Sequence, residues 1–294
     1  MTDVGITLKA FAKLNLYLQI LGGREDGYHD IRSLMLTVDL ADDVQIRDSR
    51  SDLSVSADSA GVPSGPENLC WKAANALRLH TGVRRGAEIR LTKRIPVAAG
   101  LGGGSSDAAC TLAGLNKLWG LGLTEDELAG VAAGVGSDVP FFVRGGLQLA
   151  EGRGEKLTPL EGLPRAWFVI AVPELRVSSA WAYSVVKMGL TSARHVTRMT
   201  LLSTNLDAAG VVEILQNDLE EGVEKSHPVV SRLKADLLAQ GAMGSLMSGS
   251  GPAVFGVTQD KTSTIAVASE VRCPGLSVFA AGPEQRGWAE VKHG

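Results

Sequence analysis

The sequence is short of the features that nucleic-acid-binding proteins usually display. Aromatic residues make up 5% of the 294 positions, and the formal net charge is −3. Lys and Arg never occur more than two in a row. An acidic chain without a basic block is not typical of a nucleic-acid surface, and scarce aromatics disfavour a base-stacking platform. We therefore expect no nucleic-acid partner.

Cysteine and long apolar runs are also scarce. Cys70, Cys110 and Cys273 form no C-x-x-C pair, so neither a zinc site nor a disulfide framework is indicated. We expect each of them to be a small buried residue in a reducing cytoplasm. No stretch approaches 18 uncharged apolar residues, and the first residues lack the basic and apolar regions of a secretory signal. The expected location is cytoplasmic, with no membrane partner.

What the chain does have is one concentrated run of glycine. Residues 94–107 read Arg-Ile-Pro-Val-Ala-Ala-Gly-Leu-Gly-Gly-Gly-Ser-Ser-Asp and lead into helix-forming sequence at 108–118. Glycine permits positive φ and a close ligand, and free N–H groups at a helix start attract anions. The run therefore predicts a phosphate-binding loop, with a plain turn as the alternative. It matches neither the P-loop pattern nor the dinucleotide fingerprint.

Two polar residues stand out in the first predicted strand. From residue 10 to residue 20 apolar side chains alternate with others, which predicts a half-buried strand. Lys13 and Asn15 are neighbours on its polar face. From spacing alone, a solvated strand face is the simpler explanation of them.

Periodicity and turn residues predict the remaining elements. A capping box at Thr124 and Glu127 predicts a helix that ends at Gly134. Further helices are expected at 69–81, 229–239 and 264–271, helices with loops at 180–216, and strands at 31–40, 44–46, 87–91, 167–172, 254–257 and 276–281. The Pro- and Gly-rich segment 159–164 is the expected joint between two domains, residues 1–158 and 159–294.

Three motifs in fixed order resemble the GHMP kinases. They are Ala-Lys-Leu-Asn-Leu at 12–16, the Pro-x-x-x-Gly-Leu-Gly-Gly-Gly-Ser-Ser run at 96–106, and Gly-Ser-Gly-Pro at 249–252. Within that superfamily, Gly-Tyr-His at 27–29 and Gly-Ser-Asp-Val-Pro-Phe-Phe at 136–142 resemble the branch that phosphorylates 4-diphosphocytidyl-2-C-methyl-D-erythritol. The match spans roughly residues 10–256.

The resemblance implies an α+β fold of two lobes. The first would be like domain 2 of ribosomal protein S5, the second ferredoxin-like, with the site in the cleft between them. It implies transfer of a phosphoryl group from ATP to the 2-hydroxyl of the cytidyl-diphosphate erythritol, in the non-mevalonate route to isoprenoid precursors. It also implies ATP and Mg²⁺ as the small molecules required.

The resemblance further implies roles for particular residues. Asp138 would accept the hydroxyl proton, and Lys13 would pair with it and hold it ionised. Asn15, Tyr28 and His29 would contact the substrate, and Tyr183 is the candidate from the second lobe to complete an aromatic sandwich. ATP would contact the glycine loop, at Pro96, Val97, Ala98, Ala99, Gly100, Leu101, Gly102, Gly103, Gly104, Ser105 and Ser106, and also Asn68.

Several assignments stay open from the sequence. Asn68 has a plain loop asparagine as its alternative, and residues 248–251 are explained either by substrate phosphates or by a tight turn. The magnesium ligands are not identified, although Asp107 and Glu151 are both available. The oligomeric state is also open.

Two other functions compete with this interpretation. One is a kinase of the same superfamily that acts on homoserine, mevalonate or a sugar, which the Gly-Tyr-His triplet argues against. The other is a non-catalytic nucleotide sensor or an RNA-binding protein that uses the S5-like lobe. The net charge and the presence of both Lys13 and Asp138 argue against this second class.

Overall fold

The computed structural model describes residues 5–49, 52–186, 206–271 and 275–291. Its strands fall into two sheets. They are β1 (Gly5–Gly23), β2 (His29–Ser49), β3 (Ser54–Ala57), β4 (Gly86–Thr92), β5 (Leu147–Gly152), β6 (Lys156–Pro159), β7 (Trp167–Pro173), β8 (Gln216–Asn217), β9 (Gly244–Met247), β10 (Val254–Thr258), β11 (Leu276–Ala281) and β12 (Trp288–Glu290).

The helices of the described residues pack on these two sheets. They are α1 (Leu69–Thr81), α2 (Gly103–Trp119), α3 (Glu125–Ala133), α4 (Val139–Arg144), α5 (Ser179–Ser184), α6 (Ala208–Ile214), α7 (Glu220–Ser226), α8 (Val229–Ala239) and α9 (Lys261–Glu270). None of them is long and apolar enough to cross a bilayer.

The first sheet carries most of the first half of the chain. Its order is β12-β1-β2-β4-β3, with β5 and β6 attached to β2 and β8 attached to β1. The second sheet has the order β11-β7-β10-β9, all antiparallel. Two lobes of mixed helix and sheet confirm the expected α+β class. The 159–164 segment lies between β6, which belongs to the first sheet, and β7, which belongs to the second.

Several helices match the sequence pattern closely. The helix expected at 69–81 is α1, and the one expected at 229–239 is α8. The capping box forms, with Thr124 Oγ1 accepting from the Glu127 N–H at 3.3 Å while the Glu127 side chain accepts from the Thr124 N–H at 2.8 Å. Residues 187–205 of the segment expected to hold helices with loops lie outside the described residues, and the described part of 180–216 contains α5, α6 and the beginning of β8.

The half-buried first strand is a wrong prediction. Both faces of β1 are covered, and Lys13, Asn15 and Gln19 are each at most 6% exposed. The register with β2 shifts between Phe11 and Ala12 and again between Asn15 and Tyr17, so the strand twists where its polar residues occur. Buried polar side chains on a central strand need partners or a ligand.

Two further expectations are corrected. The strands expected at 31–40 and 44–46 are one strand, β2, because the Asp pair between them stays in register with β1 and β4. The helix expected from residue 108 begins at Gly103, so the end of the glycine run is already the first turn of α2. Cys70 and Cys110 are buried as expected, and Cys273 lies outside the described residues.

Candidate active site

A cavity of about 1020 Å³ opens between the two lobes. It is lined by the glycine run, by the polar residues of β1, by the start of α4 and by α5. Of the site residues expected from the sequence, all line it except Leu101 and Ser106, which are fully buried beneath the glycine loop. Residues as far apart in sequence as Lys13 and Tyr183 are therefore brought to one surface.

The glycine run forms a loop that leads into α2. Positive φ recurs at alternate residues, with 56° at Ala98, 80° at Gly100 and 73° at Gly102. Gly102 is the N-cap of α2 and provides no side-chain cap, so the first N–H groups of the helix are not occupied by a capping side chain. Such a backbone presents N–H groups to an anion.

The second glycine stretch holds this loop in place. A Cβ added to Gly100 would lie 2.2 Å from the carbonyl oxygen of Ser248, so only glycine fits there. The buried Ser248 hydroxyl donates to the Gly100 carbonyl oxygen at 3.1 Å and accepts from the Asn15 N–H at 3.3 Å. Gly249 and Ser250 themselves line the cavity. The stretch therefore serves as a tight turn and also borders the site.

Lys13 is buried at the centre of the cavity wall. Its ammonium donates to the Asn15 amide oxygen, and the Asn15 amide nitrogen donates to Ser33 Oγ at 2.7 Å. Burial lowers the pKa of Lys13, and the negative charge of Asp138 offsets part of that shift. The expected ion pair of Lys13 with Asp138 is not formed, because the ammonium is held by its neighbour on the same strand and Asp138 acts at longer range.

Asp138 occupies the N-cap position of α4 without capping it. Its side chain makes no hydrogen bond to the first turn, because its backbone is already in the right-handed helical region. The carboxylate faces the cavity instead. Burial and the nearby charge of Asp138 raise the pKa of Tyr183 to about 12. The acid from the first lobe and the phenol from the second therefore lie close together.

Aromatic rings gather where β1 ends, away from the glycine loop along that strand: His29 pairs with Gly23, whereas the Lys13 N–H donates to the Leu101 carbonyl oxygen at 3.0 Å. The His29 and Tyr183 rings stack, with centroids 5.3 Å apart and planes at 27°. Tyr28 is 55% exposed, and the guanidinium carbon of Arg153 lies 5.1 Å from its ring centroid. The structure thus brings together the three rings that the sequence proposed as a substrate pocket, and adds Arg153, which no motif indicated.

A buried charge cluster supports the other end of the loop. The Lys93 ammonium contacts Asp42 and, at 2.5 Å, Asp107. Asp42 also accepts from the N–H groups of Arg94 at 2.5 Å and Ile95 at 2.8 Å. Burial raises the pKa of Asp107 to about 7, whereas the two carboxylates raise the pKa of Lys93 despite its burial.

Sequence reasoning placed Asp42 between two strands and gave Lys93 no role. The only sequence signal for this cluster was the pair of carboxylates at 42–43, between two segments expected to be strands.

Asn68 caps a helix, a structural role that the sequence alone did not identify. It is the N-cap of α1, where its side chain accepts from the Cys70 N–H at 2.8 Å and donates to the Pro63 carbonyl oxygen at 2.7 Å. It also lines the cavity. Capping accounts for its position, and contact with a nucleotide remains a prediction.

The carboxylates near the loop differ in their suitability for magnesium. Glu151 pairs with Arg32 at 2.9 Å and does not line the cavity. Asp107 does line it, and its Oδ1 and the neighbouring Ser106 Oγ are buried oxygens without a hydrogen-bond partner. In the parts of the chain described, no group of three or more Asp, Glu, His or Cys residues is placed so that it could hold a metal ion. Mg²⁺ is commonly held by one or two protein ligands plus phosphate oxygens, so the Asp107 end of the loop fits it.

Comparisons with known proteins agree with this geometry. Models of the GHMP kinase N-terminal and C-terminal domains match residues 68–146 and 201–275. The 4-diphosphocytidyl-2-C-methyl-D-erythritol kinase of Gloeobacter violaceus is 44% identical over 96% of this chain and 95% of its own length. The kinase of the same name from Geobacter metallireducens is 48% identical over 86% and 89%.

Solved structures give the same result. A crystal structure of 4-(cytidine 5′-diphospho)-2C-methyl-D-erythritol kinase superimposes with a TM-score of 0.79 at 32% identity, over 94% of this chain and 99% of the other. Homoserine kinase from Cytophaga hutchinsonii shares the fold, with a TM-score of 0.78 at 18% identity over 99% and 98%. The chain therefore belongs to the family of 4-diphosphocytidyl-2-C-methyl-D-erythritol kinases, within the GHMP kinases.

Proposed function

We propose that this ATP-dependent kinase phosphorylates the 2-hydroxyl of 4-diphosphocytidyl-2-C-methyl-D-erythritol, with Asp138 and Lys13 at the reacting hydroxyl. The observation that carries the proposal is a single cavity with an anion-binding loop at one end and three aromatic rings at the other. Lys13 and Asp138 lie between them. The membership of the family supports the substrate.

The glycine loop would bind the β- and γ-phosphates of ATP. Phosphoryl transfer depends mainly on positioning and on stabilising negative charge spread over the transferred group. The uncapped N–H groups at the start of α2 and the Ser105 hydroxyl face the cavity, where they can donate to phosphate oxygens. Ser106 is buried beneath the loop and does not line the cavity, so its hydroxyl is not one of these surface donors.

Asp138 would accept the proton of the substrate hydroxyl as the bond to phosphorus forms. A carboxylate that caps no helix and pairs with no cation within 4.0 Å in the described chain has lone pairs available for this. Lys13, protonated, would hold Asp138 ionised and attract the oxygens of the transferring phosphoryl group. Its contact with Asn15 fixes the ammonium in place.

Asp107 would hold Mg²⁺ at the loop, with the unpartnered hydroxyl of buried Ser106 next to it in the chain. When bound, the ion would neutralise part of the charge of the ATP phosphates. The contribution of this chain is the free Oδ1 of Asp107, whose other oxygen is fixed by Lys93.

The aromatic end would bind the cytosine. Tyr28 offers a ring face for stacking and His29 can donate to or accept from the edge of the base. Tyr183, already stacked on His29, would close the pocket from the second lobe.

The test is release of ADP from Mg-ATP against a panel of alcohols, namely the cytidyl-diphosphate erythritol, homoserine, mevalonate and galactose. Turnover of the cytidyl substrate alone is the expected result. Turnover of another alcohol would retain the phosphoryl-transfer machinery and overturn the substrate. Binding of ATP without turnover of any member would favour a nucleotide sensor.

A further inference from the structure

Arg153 is a charged residue of the cavity that the proposed mechanism does not use. It is exposed on the turn between β5 and β6, and both it and Gly154 line the cavity. Its guanidinium lies over the Tyr28 ring, with the carbon 5.1 Å from the centroid. The side chain therefore stands beside the ring on which a base would stack.

Arg153 differs from the other cations that line the cavity in the partners of its charge. Among the described residues three cations line the cavity, and two of them are engaged. Lys93 contacts Asp42 and Asp107, and Lys13 donates to Asn15 close to Asp138. The Arg153 guanidinium has no carboxylate within 4.0 Å in the described chain, although the Arg153 backbone N–H donates to the Glu155 carboxylate at 2.6 Å.

The charge of Arg153 also acts on Asp26. The Tyr28 N–H donates to the Asp26 carboxylate at 3.1 Å and chiefly lowers its pKa, with Arg153 contributing from farther away. Because the guanidinium makes no hydrogen bond to another described residue, its donors are available to a ligand in the cavity that Arg153 lines.

We infer that Arg153 binds the diphosphate of the cytidyl substrate and makes this pocket selective for nucleoside diphosphates over nucleosides. The inference rests on the proposed function. A base stacked on Tyr28 carries its diphosphate one ribose away, within reach of the long arginine side chain whose guanidinium is already beside that ring. Arginine suits the position because its planar fork matches phosphate oxygens and stacks on aromatic rings.

A different role for Arg153 would give a different pattern of affinities. If the guanidinium only steadied the Tyr28 ring, its loss would weaken any ligand that stacks there, with or without phosphates. If it binds the diphosphate, its loss weakens only ligands that carry phosphates. Cytidine and cytidine diphosphate (CDP) separate these two roles because they share the base and ribose.

The experiment is calorimetric titration of CDP and of cytidine into the full chain, with saturating ADP present so that the glycine loop is occupied. Wild type, Arg153→Ala and Arg153→Lys are compared. Loss of a charged hydrogen bond should raise the Kd of CDP roughly tenfold to hundredfold in Arg153→Ala, and change that of cytidine less than about threefold. Arg153→Lys should fall between, since it keeps the charge and loses the fork.

Steady-state kinetics give the second readout. In Arg153→Ala the KM for the cytidyl-diphosphate substrate should rise by a similar factor, with kcat and the KM for ATP little changed. The control is Arg90→Ala, an exposed arginine on β4 that pairs with Glu88, does not line the cavity and should alter neither constant.

Each of the other possible results would contradict a specific assignment. Equal weakening of CDP and cytidine would reduce Arg153 to a support for Tyr28, and unchanged CDP affinity would remove it from the pocket. In both cases turnover of the cytidyl substrate by wild type would leave the proposed function standing. If the wild type neither binds CDP nor turns over that substrate, the proposed function and this inference both fail.

Discussion

Lys13 is a buried cation whose charge the proposed reaction needs. Burial lowers its pKa below the ordinary value of lysine, and the Asp138 charge restores only part of the shift. Because deprotonation removes the charge, kcat/KM should fall as the pH rises through this lowered pKa of the free enzyme, at a lower pH than 10.5. The check is a pH–rate profile of kcat/KM.

The mutation Lys13→Met should confirm the origin of that alkaline limb. We expect a larger loss in kcat than rise in KM, since the charge acts on the transferring group, and the remaining activity should lack the limb. A wild-type rate that stays constant up to pH 10.5 would contradict the role of Lys13.

Asp138→Asn is the sharpest test of the acid-base assignment. The amide keeps the size of the side chain but cannot accept the proton, so kcat should fall roughly 10²–10⁴-fold while ATP affinity is largely kept. Single-turnover kinetics and nucleotide titration measure the two quantities. Asp236→Asn, an exposed carboxylate on α8, is the matched control and should behave as wild type. An Asp138→Asn enzyme with most of its activity would show that another group takes the proton.

At the scale of elements, periodicity succeeded where one face of an element meets solvent. The α1 and α8 helices have an apolar side and an exposed side, and their bounds were predictable. The β1 strand was misjudged because the second lobe and α2 cover both of its faces, and no local pattern contains that information.

The residues of the site also divide into those that the sequence predicted and those that it did not. Its loops were found because glycine and the family motifs mark them in the sequence. Asp42, Lys93 and Arg153 were missed because each acquires its role from a partner tens of residues away, such as Asp42 for Lys93 and Tyr28 for Arg153. Such partners are set by the pairing of strands, which short-range sequence patterns do not specify.

The close contact between Gly100 and Ser248 predicts that adding one methyl group at residue 100 will impair catalysis. In Gly100→Ala the new Cβ would meet the Ser248 carbonyl oxygen at 2.2 Å, so the loop must move. A displacement of about 1 Å in a positioned site can cost roughly 10²-fold, and we expect that loss in kcat/KM for ATP.

Gly122→Ala is the matched control for the strain of positive φ. Its φ is 69° and a Cβ there meets nothing within 4 Å, so it should lower stability slightly without changing the kinetics. Equal kinetics for the two variants would mean that the loop contact does not position ATP.

The charge cluster under the loop predicts a difference between adjacent carboxylates. Asp42 is fully buried and holds Lys93 and two backbone N–H groups, so Asp42→Ala should lower the free energy of unfolding by about 3–5 kcal/mol. Asp43 bonds only Lys9 and Arg94 near the surface, and Asp43→Ala should cost about 1 kcal/mol or less. Urea denaturation of both variants measures the difference, and equal losses would contradict the role assigned to the buried cluster.

At the scale of the whole molecule, two of the three hydrophobic clusters in the described chain contain buried residues of both lobes. Leu14 and Leu36 of the first sheet pack in the same cluster as Phe168 and Phe255 of the second. The chain also returns to the first sheet after the 159–164 joint. The β8 strand pairs with Tyr17 and Leu18, and β12 pairs with residues 8–10.

We propose that residues 1–158 and 159–294 are lobes of one cooperative unit rather than independent domains. A fragment of residues 1–158 would lack β8 and β12, which leaves an edge of β1 unpaired, and would expose the apolar face that the second sheet covers. We therefore expect the fragment to bind a hydrophobic dye and to melt without a cooperative transition, whereas the full chain melts in one step. Mixing the two halves should restore that transition, because the missing strands and the shared core are then supplied in trans. Circular dichroism melts of each half, of the mixture and of the full chain measure this. A sharp transition in the 1–158 fragment alone would mean that the first lobe is stable without the second, and that the shared core serves the cavity rather than the fold.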